Sequence, residues 1–128
     1  MRERRKILVV DDQVELAENI AELLQSRGYE TVVAASAEEA IACVDGAIHL
    51  IVTDYRLPGH NGAELIAELR RRGNAVPAVL MSAYTDDDTV SAGVRAGASA
   101  FLPKPVDLQR LLDVVAALPM AGPTQPQL

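Results

Sequence analysis

Five short apolar runs alternate along the chain with five segments of helical periodicity, and this alternation narrows the fold more than any other feature. The runs are Ile7-Leu8-Val9-Val10, Tyr29 to Ala34, Leu50-Ile51-Val52, Val76 to Met81 and Ala100-Phe101-Leu102. Side chains of a strand alternate between its two faces, so a strand that is apolar at successive positions must be covered on both. The first, third and fourth runs have this character and read as inner strands of a parallel sheet. The second carries Glu30 and Thr31 and reads as an edge strand.

The intervening segments are punctuated as helices. Leu16, Ile20, Leu23 and Leu24 form one stripe, with Gly28 placed as a left-handed cap. Ser36 with Glu39 reads as a capping box before Ala40, Ile41 and Val44. Asn61 with Glu64 is a looser version, opening a helix with Leu65, Ile66 and Leu69 that ends near Gly73. Asp107 caps a last helix carrying Leu108, Leu111, Leu112 and Val115, and Pro119 ends it. The fourth helix is the weakest. Thr85 or Asp86 caps it, but only Val90 and Val94 offer an apolar grip, and Gly93 costs about 1 kcal/mol relative to alanine. Right-handed crossovers in such a (βα)₅ order give an α/β fold, a doubly wound parallel five-stranded sheet with helices on both faces.

The length of 128 residues suits one domain with one core. The expected boundaries are residues 1–118 for the domain and 119–128 for a Pro/Gln-rich tail or the start of a linker. No stretch is apolar enough to span a bilayer, and the apolar run after the charged amino terminus stops at Asp11, too soon for a secretory leader. A cytoplasmic protein with no membrane contact is the simplest reading. Cys43 is the only cysteine, which excludes an intramolecular disulfide, and it reads as a small hydrophobe on a helix. A net charge of −6 argues against direct nucleic-acid binding, which needs a basic face. The cluster Arg2, Arg4, Arg5 and Lys6 reads as a solvated leader.

In open parallel sheets the reactive groups gather where the strands end. Asp11 and Asp12 follow the first run, Asp54 ends the third, Ser82 ends the fourth and Lys104 lies just past the fifth. The topology therefore brings three carboxylates, one hydroxyl and one ammonium to one rim. Two like unit charges ~4 Å apart repel by about 4 kcal/mol at an effective dielectric of ~20. One lysine does not balance three acids, so some acids hold protons or a divalent cation enters. All the ligands on offer are oxygens, which favours Mg²⁺ (or Mn²⁺) over Zn²⁺, and such a cleft suits phosphoryl transfer.

At these residues the chain resembles a known family. Val9-Val10-Asp11-Asp12, Thr53-Asp54-Tyr55-Arg56-Leu57-Pro58-Gly59, Met81-Ser82-Ala83 and Phe101-Leu102-Pro103-Lys104-Pro105 are similar to the motifs of response regulator receiver domains of two-component systems. The resemblance covers roughly residues 5–118 and implies a flavodoxin-like sheet in the order 2-1-3-4-5. It implies that Asp54 is the phospho-acceptor, the nucleophile that takes a phosphoryl group from the phosphohistidine of a sensor histidine kinase or phosphotransfer protein. Asp11, Asp12, Asp54 and the backbone carbonyl of Arg56 would hold the metal, Asp11 directly or through water. Ser82 and Lys104 would contact phosphoryl oxygens. The bond before Pro105 would be cis, and Ser82 with Phe101 would form a switch acting on the fourth helix, the fifth strand and the fifth helix. Phe101 reads equally well as a plain core residue.

The implied protein is a signalling module, not a turnover enzyme. Its partners would include a downstream protein or an output domain absent from this sequence, with a phosphorylation-dependent homodimer as a further option. Arg56 and Tyr84 occupy positions that tune hydrolysis in the family, and shielding by Tyr84 would lengthen the phosphorylated state. His60 departs from the apolar residue the family often has there and reads as a solvated loop histidine. Three other readings compete. A receiver-like scaffold independent of phosphorylation would usually lack the acceptor, an acid or the lysine, and none is missing. A haloacid-dehalogenase-type phosphatase would carry Asp-x-Asp after the first strand, where the acids here are adjacent. A flavodoxin-like electron carrier needs a phosphate loop that Asp11-Asp12-Gln13-Val14 would repel.

Overall fold

The computed structural model describes residues 5–44, 47–83 and 86–119. Strands and helices alternate throughout: β1 (Lys6–Val10), α1 (Val14–Ser26), β2 (Glu30–Ala34), α2 (Ala37–Cys43), β3 (Leu50–Asp54), α3 (Gly62–Arg71), β4 (Ala78–Ser82), α4 (Asp87–Ala96), β5 (Ala100–Pro103) and α5 (Leu108–Ala117). The sheet is parallel in the order β2-β1-β3-β4-β5. The α/β, doubly wound expectation is thus met, with β2 at an edge.

Alternation along the strands builds the core on both sides of the sheet. Ile7, Val9, Leu50, Val52, Val79 and Met81 face α1 and α5, where Ile20, Leu24, Leu111 and Val115 meet them. Leu8, Val10 and Ile51 face the other way, onto Ala37 and Ala40 of α2 and Leu65 and Leu69 of α3. Ile66, Ala78 and Leu80 form a smaller cluster, against which Tyr55, Ala96 and Phe101 pack. Each buried leucine, isoleucine or valine contributes about 1.5–3 kcal/mol. With so few aromatic residues, these branched side chains supply the cohesion of the fold.

The caps are local and follow the sequence closely. Asn61 Oδ1 accepts from the Glu64 N–H at 2.7 Å while Glu64 Oε1 accepts from the Asn61 N–H at 2.8 Å, a complete capping box. At α2, Ser36 Oγ accepts from the Glu39 N–H at 3.1 Å, but the Glu39 carboxylate reaches the N–H of Ala35. α2 stops at Cys43 and Val44 is already extended, one residue short of the apolar spacing. Cys43 is partly buried against the α2–α3 cluster.

α4 corrects one expectation. Its buried residues are Thr89 and Gly93, whereas Val94 is 61% exposed. A Cβ on Gly93 would collide with Cζ of Phe101 and lie 2.9 Å from Leu80 Cδ1. The Phe101 ring therefore fills the space where a side chain of α4 would otherwise grip. Tyr84 and Thr85 lie outside the described residues, so the shielding role of Tyr84 and the capping role of Thr85 do too. Asp86 occupies the cap position, and its carboxylate accepts from the Thr89 hydroxyl at 2.7 Å.

Candidate functional site

The parallel register delivers the predicted residues to one edge of the sheet. Asp54 closes β3 opposite Met81, Ser82 closes β4 opposite Pro103, and Asp11 and Asp12 come directly after β1. Lys104 follows β5, where its backbone N–H donates to the Ser82 carbonyl at 2.9 Å. The Lys104–Pro105 peptide bond is cis, as the resemblance implies.

Carboxylate oxygens of Asp11, Asp12 and Asp54 come within 4.8 Å of one another. The Lys104 ammonium stands between two of them, with Nζ 3.2 Å from Asp11 Oδ2 and 3.2 Å from Asp54 Oδ2. Asp11 is fully buried and Asp54 nearly so, while Asp12 is exposed to solvent. The other oxygen of Asp11 accepts from the Gln13 N–H at 2.9 Å, which orients the carboxylate. Ser82 is buried beside this group.

Burial, and then repulsion from Asp11, push the Asp54 carboxyl above the usual carboxylate range, while Lys104 and a hydrogen bond from the Arg56 backbone oppose the rise. A buried carboxylate held against a second one is under-compensated by a single ammonium. The arrangement therefore favours further positive charge, and its all-oxygen donor set fits a hard divalent ion. It can equally present one carboxylate oxygen of Asp54 to an electrophile while the Lys104 ammonium offsets part of the product's charge.

Two residues at the site escaped sequence reasoning. Gly62 opens α3 directly against the Asp54 backbone. A Cβ there would collide with the Asp54 carbonyl oxygen and approach Leu80 Cδ2 to 2.9 Å, and the Gly62 N–H donates to the Tyr55 carbonyl at 2.6 Å. A glycine at the first helical position beside a complete capping box was the available signal, since it is a poor helix former. Thr53 is buried, and its hydroxyl donates to the Asp54 carbonyl at 3.0 Å. His60 is exposed in its loop, as expected, and its Nδ1 lies 3.0 Å from Glu38 Oε2 of α2. Phe101 is half-buried, with its ring against Gly93 and Leu80.

Comparisons with known proteins agree with this geometry. The response regulator receiver domain family matches residues 7–116. A response regulator receiver protein of Anaeromyxobacter is 41% identical over 111 residues, covering 86% of this chain and 47% of that protein. The transcriptional regulatory protein CpxR of Klebsiella pneumoniae is 33% identical over 113 residues, covering 88% of this chain and 48% of its own length. The chain thus spans about half the length of these curated relatives. A crystal structure of a response regulator receiver protein from Pseudomonas putida superposes with a TM-score of 0.83 at 34% identity, covering 92% of this chain and 100% of that one. A CheY-like receiver domain protein from Methanospirillum hungatei also gives 0.83, at 27% identity, covering 89% of this chain and 92% of the other. Over nearly its whole described length, then, this chain belongs to the response regulator receiver domain family of two-component signalling.

Proposed function

We propose that Asp54 accepts a phosphoryl group from the phosphohistidine of a sensor histidine kinase or phosphotransfer protein. The observation that carries this reading is the Lys104 ammonium, 3.2 Å from both Asp54 and Asp11 at the mouth of an acidic cluster. A carboxylate oxygen of Asp54 attacks phosphorus, the P–N bond breaks, and the departing imidazole takes up a proton. The product is an acyl phosphate on Asp54. Lys104 pairs with one phosphoryl oxygen, and Ser82 hydrogen-bonds another.

Asp11, Asp12, Asp54 and the Arg56 carbonyl would hold Mg²⁺, or Mn²⁺. The bound ion supplies charge neutralisation to the phosphoryl oxygens. Asp11, already tied down by Gln13 and Lys104, needs little reorganisation to serve as a ligand. This is self-phosphorylation of a signalling module, with no turnover of a separate substrate.

In the proposed signal, the phosphoryl group draws in Ser82, Phe101 takes the space released, and α4 shifts with the α4–β5–α5 surface. α4 is suited to this because it buries only Thr89 and Gly93 among its ten residues. The ligand moves such an equilibrium only by its differential affinity for the two states. The receiver unit runs to about Leu118, and its recipient is a downstream protein, an output domain outside this sequence, or a second copy in a phosphorylation-dependent dimer. Its setting is the cytoplasm, where the kinase domain would meet it.

The test is incubation with acetyl phosphate and Mg²⁺ followed by intact mass. One phosphoryl group should add to the wild type, none to Asp54→Asn, and none after chelation. Equal labelling of Asp54→Asn would overturn the assignment.

A further inference from the structure

α3 ends in three consecutive arginines that do not behave alike. Arg71 and Arg72 both turn to Glu68 on the exposed side of their own helix. Arg70 instead crosses to α4. Its Nη2 donates to the Gly97 carbonyl at 2.9 Å and its Nη1 to the Asn74 carbonyl at 3.0 Å. Gly97 is the left-handed cap of α4, with φ of 101°. A Cβ at Gly97 would lie 2.9 Å from Arg70 Nε, so a side chain there would crowd the guanidinium.

The chemistry suits an anchor. The last carbonyls of a helix lack partners within it and form the negative end of its dipole. A guanidinium satisfies both needs, and its planar fork can hold two carbonyls at once where an ammonium cannot. Partial burial lowers the Arg70 pKa, in keeping with a cation that has left bulk water to lie on carbonyls. The turn after α4 is further tied to β4, because the Ser99 N–H donates to the Ala78 carbonyl at 2.7 Å. The other end differs. Among the described residues its side-chain hydrogen bond, from Thr89 Oγ1 to Asp86, reaches only the helix's own cap. Asp86, Asp87 and Asp88 are all exposed.

From this asymmetry we infer that Arg70 is a positioning residue that pins the carboxyl end of α4 to α3, so that signalling displaces the amino-terminal half of α4 about a fixed carboxyl end. The displacement rests on the phosphorylation reading above, whereas the pin is a property of the free protein. The two are separable by experiment.

In the free protein, amide hydrogen exchange would be compared for wild type, Arg70→Lys and Arg70→Met. Loss of a hydrogen bond from a charged donor should speed exchange at residues 94–98 by about tenfold or more in Arg70→Met. Arg70→Lys should restore only part of this, and β1 and β3 amides should be unchanged. Unchanged exchange at residues 94–98, or equal acceleration throughout the sheet, would overturn the pin. NMR with Mg²⁺ and beryllium fluoride then tests the pivot. Wild-type shifts should concentrate at residues 86–92 and spare Gly97 and the Arg70 guanidinium, and in Arg70→Met they should spread to Gly97. Wild-type shifts as large at Gly97 as at Thr89 would refute the pivot. No shift at any residue would count against phosphorylation at Asp54, while the exchange result would still decide whether Arg70 holds α4.

Discussion

Replacing Gly62 by alanine sets helix propensity directly against packing. Propensity alone says that Gly62→Ala in α3 should stabilise the protein by up to about 1 kcal/mol. The structure reverses the sign. The new methyl would collide with the Asp54 carbonyl oxygen, lie 2.9 Å from Leu80 Cδ2 and sit 3.3 Å from the Asp54 carbonyl carbon. Two of these three atoms are backbone at the end of β3, where Asp54 pairs with Met81 of β4, and cannot rotate away as a side chain can. α3 would have to lift instead, straining the 2.6 Å bond from the Gly62 N–H to Tyr55. Overpacking against a well-ordered core costs about 1–3 kcal/mol, and an immovable neighbour places this case at the upper end. After the propensity gain, the net loss is about 2 kcal/mol, or a melting temperature lower by roughly 8 °C at about 4 °C per kcal/mol.

Gly93→Ala is the built-in comparison. Its methyl would meet only the ends of the Phe101 and Leu80 side chains, which can turn aside, so about 1 kcal/mol is expected. The assay is urea denaturation of wild type and both variants, with acetyl phosphate labelling in parallel. Because small displacements of a reacting group cost large factors in rate, Gly62→Ala should also slow labelling by about tenfold. A urea midpoint for Gly62→Ala at or above that of the wild type, with labelling at the wild-type rate, would refute the reasoning.

Two further outcomes concern charge. The raised pKa of Asp54 means that the unfolded chain ionises first as pH climbs past the ordinary value of 3.8, so ionisation of this group costs the native state stability, fully so above its folded value. Without divalent ions, Asp54→Asn should therefore be more stable than wild type at pH ~7.5, on the order of 1 kcal/mol, with the gap closing toward pH ~4. Urea midpoints in chelator at both pH values check this, and a less stable Asp54→Asn at the higher pH would count against it. Lys104→Met removes the ammonium 3.2 Å from Asp11 and Asp54, leaving two buried acids facing each other. It should destabilise by about 2 kcal/mol at neutral pH, less than the ~3–5 kcal/mol of a fully buried pair because Lys104 retains some solvent. Mg²⁺ should recover part of the loss, and a variant as stable as wild type in chelator would show that the pairing contributes nothing.

What the sequence by itself determined is whatever depends on neighbours along the chain. Alternating apolar runs and helical stripes specified a parallel sheet covered on both faces, because side-chain direction follows from position within a strand. Asn61 and Asp107 announced their helices because a cap bonds a residue only three positions away. The acids and the lysine were legible because parallel strands carry their carboxyl ends to one edge, however far apart they lie in sequence. What only the tertiary structure decided depends on what stands opposite. Gly62 and Gly93 look like weak helix formers until the Asp54 backbone and the Phe101 ring appear beside them. Val94 looked like the grip of α4, yet that face belongs to Thr89 and Gly93 because the Phe101 ring occupies it. Arg70 is indistinguishable in sequence from Arg71 and Arg72, and only the approach of α4 gives it a carbonyl to hold. Nor can a list of residues say which way the proton of Asp54 leans, since that follows from burial, the nearness of Asp11 and the reach of Lys104, all set by the packing of separate strands.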